Sequence, residues 1–334
     1  MAGQDTALIN TALTERLGIR LPVVVAPMSG VSDGRLAVAA SRAGVLGSIG
    51  VGGTASGEFV RHETSVAAES GLPYGVGLMG WALRRRPDQL DAVLAARPAL
   101  VSVSYGDYAP YLGPLRDAGI TVVTQVGTVE QAMRAEEAGV DFVVSRGAEG
   151  GGHGYDLVGT LPLLQAVLER LEVPVLAAGG IGTGRGLAAV LAAGAAGAWV
   201  GSAFVTCRES AASDDQVALL AEADEVATAY GRVFDVASAI GWPDDIGGRA
   251  LRNEFFDAWR GREEELPGDA DALAAFRSAA ERRDFSTMPV YIGQGVGLLD
   301  GERPTAAEVV ERLAGAASLL SAAAGRVSGG GRGE

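Results

Sequence analysis

The sequence has 334 residues and no lysine; all 27 basic positions are arginine. That absence excludes a Schiff-base lysine, a lysine general base and the lysine of a P-loop. A single cysteine, Cys207, excludes an intrachain disulfide and argues against a cysteine-rich metal centre, so no metal is expected. Histidine is almost as scarce: His62 and His153 are the only side chains whose ordinary pKa lies near neutrality. Apolar runs are short or broken by glycine, and Met1 to Thr14 lack a basic segment followed by an apolar one, which predicts a soluble, cytoplasmic protein without a membrane partner. With 41 acidic residues the net charge is -14, which opposes the phosphate neutralisation that nucleic-acid binding requires.

What is abundant is apolar residues, at 48%, and glycine, at 49 residues. A recurring unit organises them. Alanine-rich helical stretches stop at a glycine (Gly44, Gly119, Gly139), and a β-branched run follows at once. Glycine suits the left-handed position after a helix, and a continuous apolar run suits a parallel strand buried on both faces. Eight such runs occur: Val23–Met28, Val45–Gly50, Gly75–Met79, Leu100–Ser104, Ile120–Val126, Phe142–Ser145, Val175–Ala178 and Ala198–Ser202. Helical stretches separate them, and no GxGxxG turn follows the first. The pattern predicts an α/β fold, a (β/α)8 TIM barrel, over residues 1–208. Residues 209–286 turn acidic and read as an inserted helical cover segment. Residues 287–334 read as a return to the barrel, with a helix near Ala306–Leu320 and a flexible tail from Ser328.

In such a barrel, chemistry sits on the loops after the strands. The sixth run leads into Ser145-Arg146-Gly147-Ala148-Glu149-Gly150-Gly151-Gly152-His153-Gly154. Consecutive glycines cost conformational entropy on ordering, so backbone here is expected to approach something flat or bulky, with His153 beside it as a proton acceptor. The seventh run leads into Gly179-Gly180-Ile181-Gly182 and the eighth contains Gly201-Ser202. Loops in these two places commonly bind phosphate through backbone N–H groups. His62 reads as part of a solvated helix face, Cys207 as a packing residue, and Arg84-Arg85-Arg86 as a solvated helix start.

The segments Leu17–Pro22 into Ala26-Pro27-Met28, Glu149–His153, Ala178–Ile181, Gly248–Asn253 and Gly293–Gly297 together resemble the nitronate monooxygenases, formerly 2-nitropropane dioxygenases, over nearly the whole chain. The resemblance implies non-covalent FMN and oxidation of an alkyl nitronate by dioxygen to a carbonyl compound and nitrite. His153 would be the base for neutral nitroalkanes or the partner of the anionic nitronate. Gly179, Gly180, Gly201 and Ser202 would hold the phosphate, Ala26, Pro27, Met28 and Gln125 the isoalloxazine, and Gly151 would permit close flavin approach; Gly77, Arg146 and Gln294 complete the expected cofactor contacts.

Three positions depart from the family: Gly150 replaces alanine, Gly77 stands where an asparagine is often found, and Arg146 stands where many members carry glutamine. Arg146 is open to three readings: a clamp for a substrate carboxylate, a cation beside reduced flavin, or an ion pair with Glu149 or another rim carboxylate. Other functions remain in view. An NAD(P)H-dependent enoyl-acyl-carrier-protein reductase of the flavin barrel type shares the fold, although -14 disfavours docking of an acidic carrier; a non-catalytic flavin-binding barrel is the other alternative. The expected partners are a small nitronate-like anion and dioxygen, and the reading allows a homodimer.

Overall fold

The computed structural model describes residues 8–299 and 302–329. Among the described residues there are eleven strands: β1 Val23–Val25, β2 Gly47–Gly50, β3 Tyr74–Met79, β4 Leu100–Ser104, β5 Thr121–Val126, β6 Phe142–Arg146, β7 Gly152–Gly154, β8 Val175–Ala178, β9 Gly197–Val200, β10 Thr228–Gly231 and β11 Gly247–Leu251. Eight of them pair in parallel in the order β1-β9-β8-β6-β5-β4-β3-β2. A parallel bridge from Val24 to Leu46, at the entrance to β2, joins the two ends of that sheet. This is the expected barrel.

Its helices stop for the expected reason. Gly44 and Gly139 take positive φ after the helices Gly34–Ala43 and Val129–Ala138, and each donates its N–H back into the last turn. Along the strands, side chains alternate between two cores. Leu46, Leu100, Val123, Val144, Leu176 and Trp199 fill the barrel, which the helix Ala12–Leu17 plugs with Leu13 and Leu17. Val23, Val25, Val101, Val143 and Val175 face outward into the helix layer. The helix expected over 306–320 is divided at Gly315 into Ala306–Ala314 and Ala316–Gly329, which pack beside Gly34–Ala43 and Gly184–Ala192. Ser328 and Gly329 therefore belong to the last helix, not to a tail, and Gly330 and Gly331 lie outside the described residues.

The cover is not purely helical. It contains the helices Asp214–Ala221, Val233–Ser238, Glu254–Trp259 and Ala270–Arg282, but also β10 and β11. These two form an antiparallel sheet with β7, the glycine-rich stretch after β6, with His153 opposite Gly248. Short strands such as Gly-Gly-Arg-Ala-Leu lack the continuous apolar run that marks a barrel strand, which is why the sequence pattern passed over them. The cover has its own apolar centre around Phe234, Phe256 and Phe276. Among the described residues no helix is long and apolar enough to cross a membrane.

Candidate active site

Loops after β1, β6, β8 and β9 and the segment 290–298 meet over one side of the barrel mouth. β1 ends at Val25, and Ala26-Pro27-Met28 leaves the sheet, with Met28 N–H donating to Ser32 Oγ at 2.7 Å. The Pro27 ring lies on Gly77: a Cβ there would stand 2.3 Å from Pro27 Cγ. Gly77 is thus buried beneath the proline and seats it, instead of lining the mouth as expected. Met28 Sδ and Ala26 Cβ flank Gly201, 3.4 and 3.5 Å from where its Cβ would be. Ser202 Oγ accepts the N–H of Gly293 at 3.2 Å, and Gln294 N–H donates to Glu149 O at 3.0 Å. The Gln294 side chain is exposed.

Gly179 and Gly180 both have positive φ, 110° and 67°. A Cβ on Gly179 would collide with Thr160 Oγ1, whereas one on Gly180 would meet only Glu149 Cβ at 3.8 Å, and one on Gly295 only Gly180 at 3.8 Å. A side chain at Gly180 or Gly295 would thus make only ordinary contacts, and Ser202 lies against Gly293, two residues before Gly295.

The glycine run after β6 has a different explanation from the expected one. Gly151 is pressed against the backbone of Ile292 and Gly293, with a would-be Cβ 2.4–2.5 Å away. Gly150 and Gly154 are pressed against the guanidinium of Arg146. The flat group these glycines admit is the protein's own arginine; only Gly152, at φ 70°, has no atom within 4 Å of its would-be Cβ.

Arg146, the last residue of β6, is 5% exposed. Its Nη2 donates to the carbonyls of Gly150, Gly151 and Gly152 at 2.7, 3.0 and 3.0 Å. Nη1 is buried without a protein partner; a small cavity of 10 Å³ between Arg146, Tyr105, Gln125 and Tyr155 is roughly the room one water needs. Burial pulls the guanidinium pKa down. Glu149 is not its partner: that carboxylate accepts from Thr160 N–H and Oγ1 at 2.8 Å. A guanidinium closed under its own loop is not a clamp for a substrate carboxylate. Hydrogen bonds to a charged donor contribute about 1.5–3 kcal/mol each, and burying an unpaired charge costs several kcal/mol. The two are of one order, so what Arg146 brings is order in the loop more than net stability.

His153 faces the cover. Its Nε2 lies 2.7 Å from Asp235 Oδ1, and the two side chains are 11% and 4% exposed. Asp235 belongs to the helix Val233–Ser238, 82 residues further along. Nε2 engaged by a carboxylate carries the proton of the neutral ring, which leaves Nδ1 as the basic atom. Trp242 stacks on the imidazole at 3.5 Å, and Tyr291 approaches it at 4.9 Å. Tyr291 OH also reaches Asp235 Oδ1 at 3.4 Å, and burial pushes the phenol pKa well above its ordinary value, with Asp235 adding to the effect. The phenol stays protonated and donates. Trp81 and Tyr105 complete the aromatic group around Trp242, both with ring centroids 5.3 Å from it.

Sequence reading did not single out Asp235, Tyr105, Tyr230 or Tyr291. Trp242 had one signal, its place between Gly241 and Pro243 in a chain only 6% aromatic; Asp235 had none among 41 acidic residues. His62 is exposed on the helix Gly57–Ala68, and Cys207 is buried, as expected.

A family model described as nitronate monooxygenase matches residues 10–315. The chain is 33% identical to the nitronate monooxygenase of Pseudomonas aeruginosa over 339 aligned positions, 85% of this chain and 93% of that one. A solved nitroalkane oxidase from Streptomyces ansochromogenes aligns with a TM-score of 0.80 at 28% identity, covering 94% of this chain and 100% of that one. FabK from Thermotoga maritima aligns with a TM-score of 0.81 at 26% identity, covering 96% and 99%. The protein is an oxidoreductase built on a (β/α)8 barrel. It belongs to the nitronate monooxygenase family.

Proposed function

We propose that the protein oxidises an alkyl nitronate with dioxygen, using FMN, to a carbonyl compound and nitrite. The observation that carries this reading is the His153–Asp235 pair: a histidine held through Nε2 at 2.7 Å, with Nδ1 free to take the proton of a neutral nitroalkane or to face an anionic nitronate. The recess we infer at Gly180 and Gly295, where a side chain would make only ordinary contacts, would hold the phosphate together with the Ser202 hydroxyl and the amides of Gly179, Gly180 and Gly201. Ala26, Pro27, Met28 and Gln125 are the residues that would meet the isoalloxazine, with Gln294 at the rim. When bound, FMN supplies the electron acceptor and the route to dioxygen. The chain's own work is positioning: Asp235 fixes the His153 tautomer, Trp242 shields one face of the ring, and Gly77 and Gly151 act through Pro27 and the 292–293 backbone.

The experiment has two parts. Protein purified from cells should be yellow and release FMN, not FAD, on heating; Gly180→Val, which puts a branched side chain at φ 67° into the recess, should retain less of it. Oxygen uptake should then accompany addition of a small alkyl nitronate. Rapid anaerobic bleaching of the flavin by NAD(P)H, with no oxygen uptake on nitronates, would overturn the reading in favour of an enoyl-acyl-carrier-protein reductase. Colourless protein that FMN does not reconstitute would overturn it altogether.

A further inference from the structure

Every carbonyl from Gly147 to Gly154 accepts a hydrogen bond. Gly147 O accepts from Gly150 N–H at 3.0 Å, and Glu149 O from Gln294 N–H at 3.0 Å. The remaining six are all taken by side chains. Arg249 Nε donates to Ala148 O at 2.8 Å; Arg146 Nη2 serves Gly150, Gly151 and Gly152; Tyr105 OH donates to His153 O at 2.9 Å, and Tyr230 OH to Gly154 O at 2.9 Å. Connecting segments ordinarily leave such groups to water, and here even the three residues of β7 take side-chain donors besides their pairing with β11. Here one barrel strand, one strand end and two cover strands hold them.

Within this cradle Arg146 is the element that serves three groups at once. Those three carbonyls belong to the residues immediately before His153, and each is a glycine, the residue type with the most conformational freedom to lose. Gly150 and Gly154 wrap its guanidinium so closely that a Cβ on Gly154 would lie 2.1 Å from Nη1. Tyr105, which holds the carbonyl of His153 itself, sits at φ 65°, a conformation a bulky side chain adopts only when its surroundings impose it. A flexible run has been made rigid next to the one histidine at the site.

We propose that Arg146 is a positioning residue for His153: by holding the carbonyls of Gly150, Gly151 and Gly152 it fixes the backbone from which the imidazole reaches Asp235 and Trp242. This deepens the proposed function without depending on the identity of the substrate, because the position of the ring is observable directly.

Imidazole NMR of the purified holoprotein tests it. The chain has only two histidines, so His62→Gln, at an exposed helix position, assigns the His153 ring signals. Stacked 3.5 Å from Trp242, the His153 ring protons should resonate upfield of those of His62. In Arg146→Gln they should broaden and move toward the His62 position at temperatures where the protein is still folded. Arg146→Lys keeps the charge but lacks the planar fork, so it should lie between. Turnover should follow the ring: kcat down about 10²-fold, as misplacement by about an ångström costs, with KM little changed. Should Arg146→Gln not fold, Tyr105→Phe removes only the donor to His153 O and should move the same signals in the same direction by less. Wild-type ring shifts in a folded Arg146→Gln, or in Tyr105→Phe where that variant stands in, overturn the proposal. A moved ring signal in a protein that does not oxidise nitronates would keep it and overturn the substrate reading alone.

Discussion

The imidazole of His153 and the indole of Trp242 lie face to face, with centroids 3.5 Å apart and planes within 5° of parallel. Trp242 belongs to the cover and His153 to the loop after a barrel strand. Asp235, which holds the edge of the same ring, also comes from the cover. The histidine is thus presented by the barrel and oriented by the cover, and the geometry of its ring requires the two to be docked.

His153→Ala should lower activity on neutral nitroalkanes about 10²–10⁴-fold, the range of general acid–base catalysis. On a nitronate ionised beforehand the loss should be smaller, since the proton has already gone. Steady-state rates on both substrate forms decide it: equal losses would mean that the ring stabilises charge and takes no proton.

Asp235→Asn keeps the shape of the side chain and removes its charge. The neutral amide no longer stabilises a protonated imidazole, so kcat on neutral nitroalkane should fall about 10²-fold while the melting temperature changes little. Unchanged kcat in a folded variant would show that Asp235 serves packing only.

Gly77→Ala should destabilise the fold although it adds one methyl group. Its Cβ would lie 2.3 Å from Pro27 Cγ and 2.4 Å from Pro27 Cβ, inside the space the ring fills. Overpacking of this kind costs about 1–3 kcal/mol, and the displaced Ala26–Met28 turn should weaken flavin retention as well. Urea denaturation and FMN content measure the two effects; a variant as stable as the parent would mean that the turn moves freely.

Cys207 should not react with an aromatic disulfide reagent in the folded protein at pH 8. Burial first, and Glu209 after it, push the thiol pKa up to about 12, so the reactive thiolate is almost absent four units below it. Denaturation should expose one thiol per chain. Fast labelling of the native protein would contradict the packing role.

The barrel was legible because its signals are local. Parallel strands covered on both faces show as unbroken apolar runs, and helices that end at glycine announce where each run begins, as Gly44 does before β2 and Gly139 before β6. The place of a loop after its strand is equally local, which is why His153, Gly179, Gly180, Gly201 and Ser202 stand out in the sequence alone.

What the sequence by itself determined, then, is the (β/α)8 architecture, the loops that crown it and the histidine among them. The tertiary structure alone decided what those residues touch. Asp235 stands 82 positions from His153, and nothing in its neighbourhood distinguishes it from other acidic residues. Arg146 reads as a rim cation in the sequence and is closed under its own loop in the fold; the glycines beside it read as room for a flat ligand and are filled by its guanidinium and by the backbone of residues 292–293. Periodicity records which face of an element is buried, because burial repeats along the chain. It carries no record of a single contact between segments far apart in sequence, and those contacts set the geometry of this site.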